Sequence, residues 1–417
     1  MKTEFFINNR KRYLEKAADN SLTLLYSGRF VQKSYDQDYP FEVNKDFYYL
    51  AGINQANVIL ALVKSGGEGR ATLFIEENDP VLSKWVGSKL TIDEARSLSG
   101  IEDVRYLDAF ERFTFALFNP MRFSAGRIGT LLLDLERVDL PGYTNWALEY
   151  ATEFAKKYPE VDIRNARETI LGLRMVKTEE EVAAIKDAIA MTKKGIEAIM
   201  KAARAGLYEY QLDACFDFAL KNGENYDLAF ETIVAAGKNA TILHYVAKRD
   251  LIGADDLVLL DLGARSGFHV SDITRTIPVS GRFTARQKEV YAAVLEVNKK
   301  CIEFLKPGLT WKDMNEYARE LLGAAVKKLG LAGELDKYYY HSIGHFIGLD
   351  THDPGVADAK FEPGMTLTIE PGLYIEEEGI GIRIEDNCLI TASGAVNLSK
   401  DIIKEIDEIE KFMAAAH

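Results

Sequence analysis

The chain has 417 residues, which exceeds one typical domain and predicts two. Hydrophobic residues make up 47% of it and charged residues 28%, as in an ordinary globular protein with a sizeable core. The 64 acidic residues outnumber the 51 basic ones, so the formal net charge is −13. This charge argues against a nucleic-acid backbone or an anionic membrane as the main partner, and it selects no particular substrate.

The cysteines and the N-terminus predict a cytoplasmic protein. Cys215, Cys301 and Cys388 are far apart and odd in number. Their spacing indicates neither a disulfide framework nor a thiolate zinc site, and it fits reduced thiols in the cytosol. The first residues show no signal-peptide pattern, and no uncharged stretch of roughly 18 apolar residues occurs.

The first domain, predicted over residues 1–165, has an α/β pattern. Short apolar runs at 57–63, 71–75 and 128–135 are typical of buried strands, and residues 142–157 are typical of a helix. Alternation of strands and helices predicts a sheet covered by helices.

The second domain, predicted over 166–417, has an α+β pattern. Thr178 and Glu181 form a capping-box pattern, which opens a long helix that ends before Gly206. Three further helices and two β-rich stretches are predicted. The helices lie at 208–222, 284–305 and 310–328, and the β-rich stretches lie at 257–280 and 363–391.

The first β-rich stretch contains an acidic hairpin, LLDLGARSGFHVSDITRTIP. A two-residue turn at Ser266 and Gly267 places Asp261 opposite Asp272. Directly opposed residues have Cβ atoms only about 4.5–5.5 Å apart. Two like charges at that spacing are destabilising unless a cation lies between them.

The second β-rich stretch, LTIEPGLYIEEEGIGIRIEDN, repeats this design. A turn at Glu377 and Glu378 places Glu370 opposite Glu385. Two hairpins that each hold a facing carboxylate pair predict an acidic cage built for metal.

Histidines strengthen the metal hypothesis, because His341, His345 and His352 fall close together in HSIGHFIGLDTHD. The H-E-x-x-H zinc motif is absent, since Ser342 follows the first of them. Four carboxylates and one imidazole suit Mn²⁺, Co²⁺ or Zn²⁺. Because four carboxylates exceed what one ion needs, two ions roughly 3.5–4 Å apart with bridging carboxylates are expected.

These motifs resemble the pita-bread metallopeptidases, specifically the Xaa-Pro aminopeptidase (aminopeptidase P) branch. The resemblance rests on D-L-G…S-D-I-T-R-T, H-S-I-G-H-F-I-G-L-D-T-H-D, L-T-I-E-P-G-L-Y and G-I-G-I-R-I-E-D, which occur in the family order. It implies a creatinase-type α/β N-terminal domain followed by an α+β pita-bread catalytic domain. It also implies five metal ligands, which are Asp261, Asp272, His345, Glu370 and Glu385. Of these, Asp272 and Glu385 would bridge the two ions.

Five further residues match substrate-site positions of the family. By resemblance, His244 stabilises the oxyanion near the scissile bond and His352 contacts the substrate carbonyl. His341 lines the proline-side pocket. Tyr374 and Arg383 match residues beside the ligands and in the substrate pocket. Two alternatives remain: Arg383 only neutralises the charge of the acidic cage, and Tyr374 is a residue of the hydrophobic core.

The N-terminal half also resembles this branch, through SYDQDYPFEVNKDFYYLAGI and LFIEENDPVLSKWVG. In the family, an acidic residue at the position of Asp36 lies near the substrate's amino terminus. A tryptophan at the position of Trp85 reaches into the site of a neighbouring subunit, which implies a homo-oligomer, either a dimer or a tetramer. Packing of Trp85 in the core is the alternative. The connection from Tyr374 to Arg383 is shorter than in some members of the family.

The implied activity is hydrolysis of the N-terminal Xaa-Pro bond of peptides by a hydroxide that bridges two metal ions, with Mn²⁺ expected first and Co²⁺ or Zn²⁺ open. Glu370 would act as general base and then as general acid. The bond to proline is a tertiary amide without an N–H, so its leaving nitrogen needs a proton donor. A dipeptide-specific prolidase and a non-catalytic binding protein of the same fold remain alternatives, and a creatinase is disfavoured by the intact ligand set.

Overall fold

The structure is a computed structural model. It covers residues 1–119, 128–136, 144–223 and 227–415. The chain divides into two compact units, Met1–Arg174 and Met175–His417. The helix Arg167–Arg174 lies in the first unit, so that unit extends past the boundary expected at residue 165.

A six-stranded mixed sheet forms the centre of the first unit. Its strands, in order across the sheet, are Asp103–Tyr106, Glu68–Ile75, Ile59–Ser65, Ser21–Tyr26, Thr130–Leu133 and Asp162–Asn165. The unit's helices are Thr3–Lys16, Lys45–Ala51, Ser83–Val86, Ile92–Ser99, Phe110–Phe118, Trp146–Lys157 and Arg167–Arg174, with a 3₁₀ turn at Leu107–Ala109 and a small hairpin of Gln32–Ser34 and Gln37–Asp38. The α/β prediction is confirmed, and each predicted apolar strand lies in this sheet. Residues 142–143 of the predicted helix lie outside the described residues.

The long helix of the second unit begins where its capping box predicts. The Thr178 side chain accepts from the backbone N–H of Glu181, whose carboxylate accepts from the backbone N–H of Thr178. The helices are Glu179–Ala202, Glu209–Lys221, Ala285–Phe304, Trp311–Lys328 and Ile406–Ala414, with 3₁₀ turns at Gly237–Thr241, Leu335–Lys337 and Glu376–Glu378. Over the part of the chain that the structure describes, no helix combines the length and apolarity that a bilayer crossing requires.

Antiparallel strands make up the rest of the second unit, which confirms the α+β prediction. One sheet contains, in order, Ile273–Pro278, Leu257–Leu262 and Ile233–Ala236, and another contains Thr366–Ile369, Asp386–Thr391 and Gly394–Asn397. Two-stranded ladders join Arg265–Ser266 to His269–Val270 and Gly372–Ile375 to Ile380–Arg383. The strands of both three-stranded sheets are largely buried, and they pack with the helices in one apolar core.

The predicted register of the first acidic hairpin is wrong. Ser266 pairs with His269, so the turn residues are Gly267 and Phe268. Asp261 consequently faces Thr274 rather than Asp272. The physical reason is that the favoured two-residue hairpin turns need a positive φ at their first central residue, and Gly267 adopts φ +60° there.

The second acidic hairpin has the predicted register. Tyr374 pairs with Gly381, and on the other side of the carboxylates Ile369 pairs with Asp386. Both ladders therefore continue the same pairing, and Glu370 and Glu385 face each other in the gap between them.

Candidate metal centre

The five predicted ligands converge on one cavity of the second unit. All of them lie on or next to the strands of the two acidic hairpins, except His345, which lies on the irregular segment before the second hairpin. The residues that line the cavity are Leu243, His244, Asp261, Asp272, His341, His345, His352, Glu370, Arg383 and Glu385.

His345 presents one ring nitrogen to three of the carboxylates. Its Nε2 lies 3.4 Å from Asp272 Oδ2, 3.6 Å from Glu370 Oε1 and 3.9 Å from Glu385 Oε1. Its other nitrogen, Nδ1, lies 2.9 Å from the carbonyl oxygen of Phe346 and must donate to it. This bond fixes the tautomer that leaves Nε2 free as an acceptor, the arrangement usual for a metal-binding histidine.

The carboxylates fit a cation because several of their oxygens have no partner within the described chain. Asp261 Oδ1, Asp272 Oδ1 and Glu385 Oε1 are buried without a hydrogen bond. One oxygen from each of these residues lies within 4.8 Å of the others. Buried polar atoms are normally satisfied, so a cluster of unsatisfied acceptors indicates that a positive ion belongs there.

Electrostatics in the cavity lead to the same conclusion. Burial, followed by the neighbouring charge of Asp261, holds the pKa of Asp272 well above its usual range. Burial and the charge of Asp272 do the same to the pKa of Glu385. Burial also raises the pKa of Glu370. A divalent ion would favour the ionised form of each carboxyl group.

A chain of hydrogen bonds runs from Arg383 through Tyr374 to His341. The pKa of His341 is lowered to about 4, mainly by burial and then by Arg383, so the ring is neutral near pH 7. Its Nδ1 donates to the Ser342 carbonyl oxygen at 2.7 Å, which leaves Nε2 to accept from the Tyr374 hydroxyl at 2.8 Å. The Tyr374 oxygen in turn accepts from Arg383 Nη1 at 3.0 Å.

His352 and His244 both line the cavity. The ring of His352 lies 4.3 Å from the ring of His345, centroid to centroid. Removal from water and the neighbouring His345 lower the pKa of His352, which favours a neutral ring. His244 lies on the segment after the 3₁₀ turn Gly237–Thr241, and its side chain is exposed.

The two site residues predicted in the N-terminal half lie on the surface of the first unit. Asp36 is an exposed residue between the two short strands Gln32–Ser34 and Gln37–Asp38. Trp85 lies on the short helix Ser83–Val86 and is 82% exposed, so it is not a core residue within the described chain.

Sequence reasoning missed the groups that hold the ligands. The Thr274 hydroxyl donates to Glu385 Oε2 at 2.7 Å and accepts from Arg383 Nε at 3.1 Å. The Asn387 amide donates to the Asp272 carbonyl oxygen and accepts from the Asp272 backbone N–H. Both residues lie two positions from a ligand, so the period of two along an extended strand is a signal that places them on the ligand side.

Comparison with known proteins identifies the family. The model of metallopeptidase family M24 matches residues 183–392, and the model of the aminopeptidase P N-terminal domain matches residues 6–122. The Xaa-Pro aminopeptidase of Haemophilus influenzae is 31% identical and covers 98% of this chain and 97% of its own length. The Xaa-Pro aminopeptidase of Escherichia coli is 30% identical and covers 99% of this chain and 98% of its own length.

Solved structures give the same result. A Bacillus anthracis protein assigned as aminopeptidase P superposes with a TM-score of 0.96 at 46% identity, covering 100% of this chain and 99% of its own. Aminopeptidase P from E. coli with the inhibitor Pro-Leu superposes with a TM-score of 0.90 at 29% identity, with the same coverage. The chain therefore belongs to metallopeptidase family M24, in its aminopeptidase P branch. The resemblance and the pita-bread fold drawn from the sequence are confirmed, and the family implies divalent metal ions.

Proposed function

We propose that this chain removes the first residue from peptides that carry proline at the second position, by metal-dependent hydrolysis. One observation carries the proposal: a single cavity gathers four carboxylates and one correctly oriented imidazole, with unsatisfied oxygens facing one another. Support comes from the Xaa-Pro aminopeptidases that match this chain over nearly its whole length.

Five side chains would hold two divalent ions. These are Asp261, Asp272, His345, Glu370 and Glu385, with Asp272 and Glu385 shared between the ions. Mixed carboxylate and imidazole ligands suit Mn²⁺, while Co²⁺ and Zn²⁺ remain open, and a zinc-substituted E. coli aminopeptidase P is among the structural neighbours. Bound ions of this kind polarise a carbonyl oxygen and generate a nucleophile from water near neutral pH.

Glu370 is proposed to carry the proton from the attacking water to the proline nitrogen. Its Oε1 faces His345, while its Oε2 lies 3.8 Å from His341 Nδ1 on the other side. Oε2 is the oxygen proposed to take the proton and deliver it. The proline nitrogen leaves only when protonated, because the unprotonated amide anion is a very poor leaving group.

Three histidines of the cavity are proposed to bind the substrate. His352 and His244 border the cavity, where a ring N–H can donate to an oxygen that gains negative charge. His341 is held by Tyr374, and Arg383 holds Tyr374, so these three side chains form a fixed wall for the proline side.

The surface of the first unit supports an oligomer. Trp85 is 82% exposed, and its neighbours Val81, Leu82 and Val86 are 65%, 52% and 79% exposed. An apolar patch of this kind is typical of a protein–protein interface. We propose that Trp85 contacts the site of a neighbouring subunit in a dimer or tetramer and that Asp36 lies near the substrate's amino terminus. Measurement of the molar mass by light scattering for the wild type and for Trp85→Ala tests the oligomer.

The free cysteines support a cytoplasmic location. Cys215, Cys301 and Cys388 are all unpaired. Burial raises the pKa of the Cys301 thiol to about 12, which keeps it protonated and unreactive. Free thiols are typical of a reducing compartment.

The experiment that tests the function compares two substrates. The metal-free protein is reconstituted with Mn²⁺, and kcat/KM is measured on an Xaa-Pro dipeptide and on the matching Xaa-Pro-Yaa tripeptide. Cleavage of the tripeptide that EDTA abolishes and Mn²⁺ restores is the expected result. Cleavage of the dipeptide alone would indicate a prolidase, and no cleavage of either by the metal-loaded protein would contradict the proposal.

A further inference from the structure

A buried asparagine lies behind two of the proposed metal ligands. Asn298 is 0% exposed. Its Nδ2 donates to the backbone carbonyl oxygens of Ile369 and Ile384, each at 3.2 Å. These residues immediately precede Glu370 and Glu385, so one side-chain amide ties together the two strands that carry the facing carboxylates.

The amide lies where regular strand pairing is interrupted. The ladder of Thr366–Ile369 ends at Ile369, and the next ladder begins at Gly372. A backbone bond from Ile384 N to Pro371 O, 3.2 Å long, crosses the gap. Asn298 adds a second connection from outside the strands, and it joins both of them at once.

The charge of Lys404 fixes the direction in which this amide faces. Lys404 Nζ donates to Asn298 Oδ1 at 2.7 Å. An ammonium group has no acceptor, so the amide oxygen must face Lys404 and the amide nitrogen must face the two carbonyl oxygens. Lys404 also pairs with Asp386, whose other oxygen is 2.9 Å from Arg275. Contacts within the protein therefore set the orientation of the Asn298 amide without a bound metal ion.

We infer that Asn298 is a positioning residue that sets the separation of Glu370 and Glu385 and thereby the affinity for metal, an inference that rests on the proposed function. Its amide nitrogen bonds to backbone carbonyls rather than to the carboxylates themselves. Metal ions require donor oxygens at fixed separations, and loss of a group that orients the ligands typically weakens metal binding by about 10- to 100-fold.

The test uses Asn298→Asp, which keeps the shape of the side chain and the oxygen that faces Lys404. It replaces the donor with an oxygen that repels the two carbonyls. Calorimetric titration of the metal-free protein with Mn²⁺ measures affinity, and the visible absorption of the Co²⁺-loaded protein reports on ligand geometry. We expect Mn²⁺ binding about 10- to 100-fold weaker than in the wild type and an altered Co²⁺ spectrum.

Gln287→Glu is the matched control, since Gln287 lies on the same helix, is buried, and donates to the Asp255 carbonyl oxygen at 2.8 Å. It should lose stability without losing Mn²⁺ affinity. Wild-type Mn²⁺ affinity and an unchanged Co²⁺ spectrum in Asn298→Asp would overturn the inference, as would an equal loss of affinity in both variants.

A second variant covers the case in which Asn298→Asp does not fold. Lys404→Met removes the cation that orients the amide, so weaker Mn²⁺ binding supports the inference and wild-type binding overturns it. Failure of the proposed function looks different. In that case the wild type itself binds no Mn²⁺ or does not cleave an Xaa-Pro-Yaa tripeptide. If the wild type binds Mn²⁺ and cleaves the tripeptide, and Asn298→Asp binds Mn²⁺ equally well, only the positioning role is contradicted.

Discussion

The guanidinium of Arg383 lies 2.7 Å from Asp261 Oδ2, and the two side chains are 4% and 13% exposed. This cation is the fixed counter-charge of the acidic cavity. Truncation of one partner of a buried pair leaves the other charge uncompensated, which typically costs about 3–5 kcal/mol.

Arg383→Met should therefore lower the free energy of unfolding by about 3–5 kcal/mol, as measured by urea unfolding of the metal-free protein. Arg286→Met is the control, because Arg286 pairs with Glu378 at the surface, at 33% and 31% exposure. Exposed pairs contribute about 0–1 kcal/mol. Equal losses in the two variants would show that Arg383 does not compensate a buried charge.

Metal removal should both inactivate and destabilise the protein. Asp261, Asp272 and Glu385 hold buried oxygens without partners in the described chain, so a bound cation relieves their repulsion. A ligand present at 100 times its Kd stabilises the folded state by about 2.7 kcal/mol. Calorimetric scans with EDTA and with added Mn²⁺ should show a higher Tm with Mn²⁺. An identical Tm would contradict metal binding at this cavity.

Glu370→Gln should lower kcat on an Xaa-Pro-Yaa tripeptide by about 10²–10⁴-fold, the range typical of general acid–base catalysis. The amide cannot take up the proton that the carboxylate carries. Metal content is measured by mass spectrometry on the same samples, because Glu370 is also a proposed ligand. Glu362→Gln, an exposed change in the same segment, should leave kcat unchanged. Near-normal turnover in metal-replete Glu370→Gln would exclude the shuttle role.

Protonation of Asp386 is expected to lower the free energy of unfolding at acidic pH. Burial acts to raise its pKa, but Arg275 and Lys404 outweigh burial and hold the pKa below its usual range. A carboxyl whose pKa is depressed by folding stabilises the protein above its unfolded pKa, roughly 3.9, and this contribution is lost as pH falls through the folded value.

The stability difference between wild type and Asp386→Asn should accordingly shrink on acidification below about pH 4. Urea unfolding of both metal-free proteins across this range measures it. A difference that stays constant with pH would show that Asp386 titrates normally.

The two hairpins show how far sequence reasoning reaches. The second register was predicted correctly because the acidic turn lies between two apolar runs, and Gly379 ends it with φ +62°. The first was wrong because both Ser266–Gly267 and Gly267–Phe268 can form a two-residue turn. Only the second places Gly267, which has a positive φ, at the first central position. The ligands still converge, since one oxygen each of Asp261 and Asp272 lies within 4.8 Å of the other.

The contacts that support the ligands from distant parts of the sequence could not be predicted. Asn298 lies on a helix far in sequence from Glu370 and Glu385, and nothing in its local pattern distinguishes it from an ordinary polar helix residue. Its role depends on packing of that helix against the strands. Helix starts such as Thr178 were predictable, because capping is a local interaction.

The most direct test of the central claim is anomalous X-ray diffraction from crystals soaked in Mn²⁺. Two peaks are expected roughly 3.5–4 Å apart in the cavity, surrounded by the oxygens of Asp261, Asp272, Glu370 and Glu385 with His345 Nε2 on one ion. Crystals that show no peak there, or peaks bound by other residues, would contradict it.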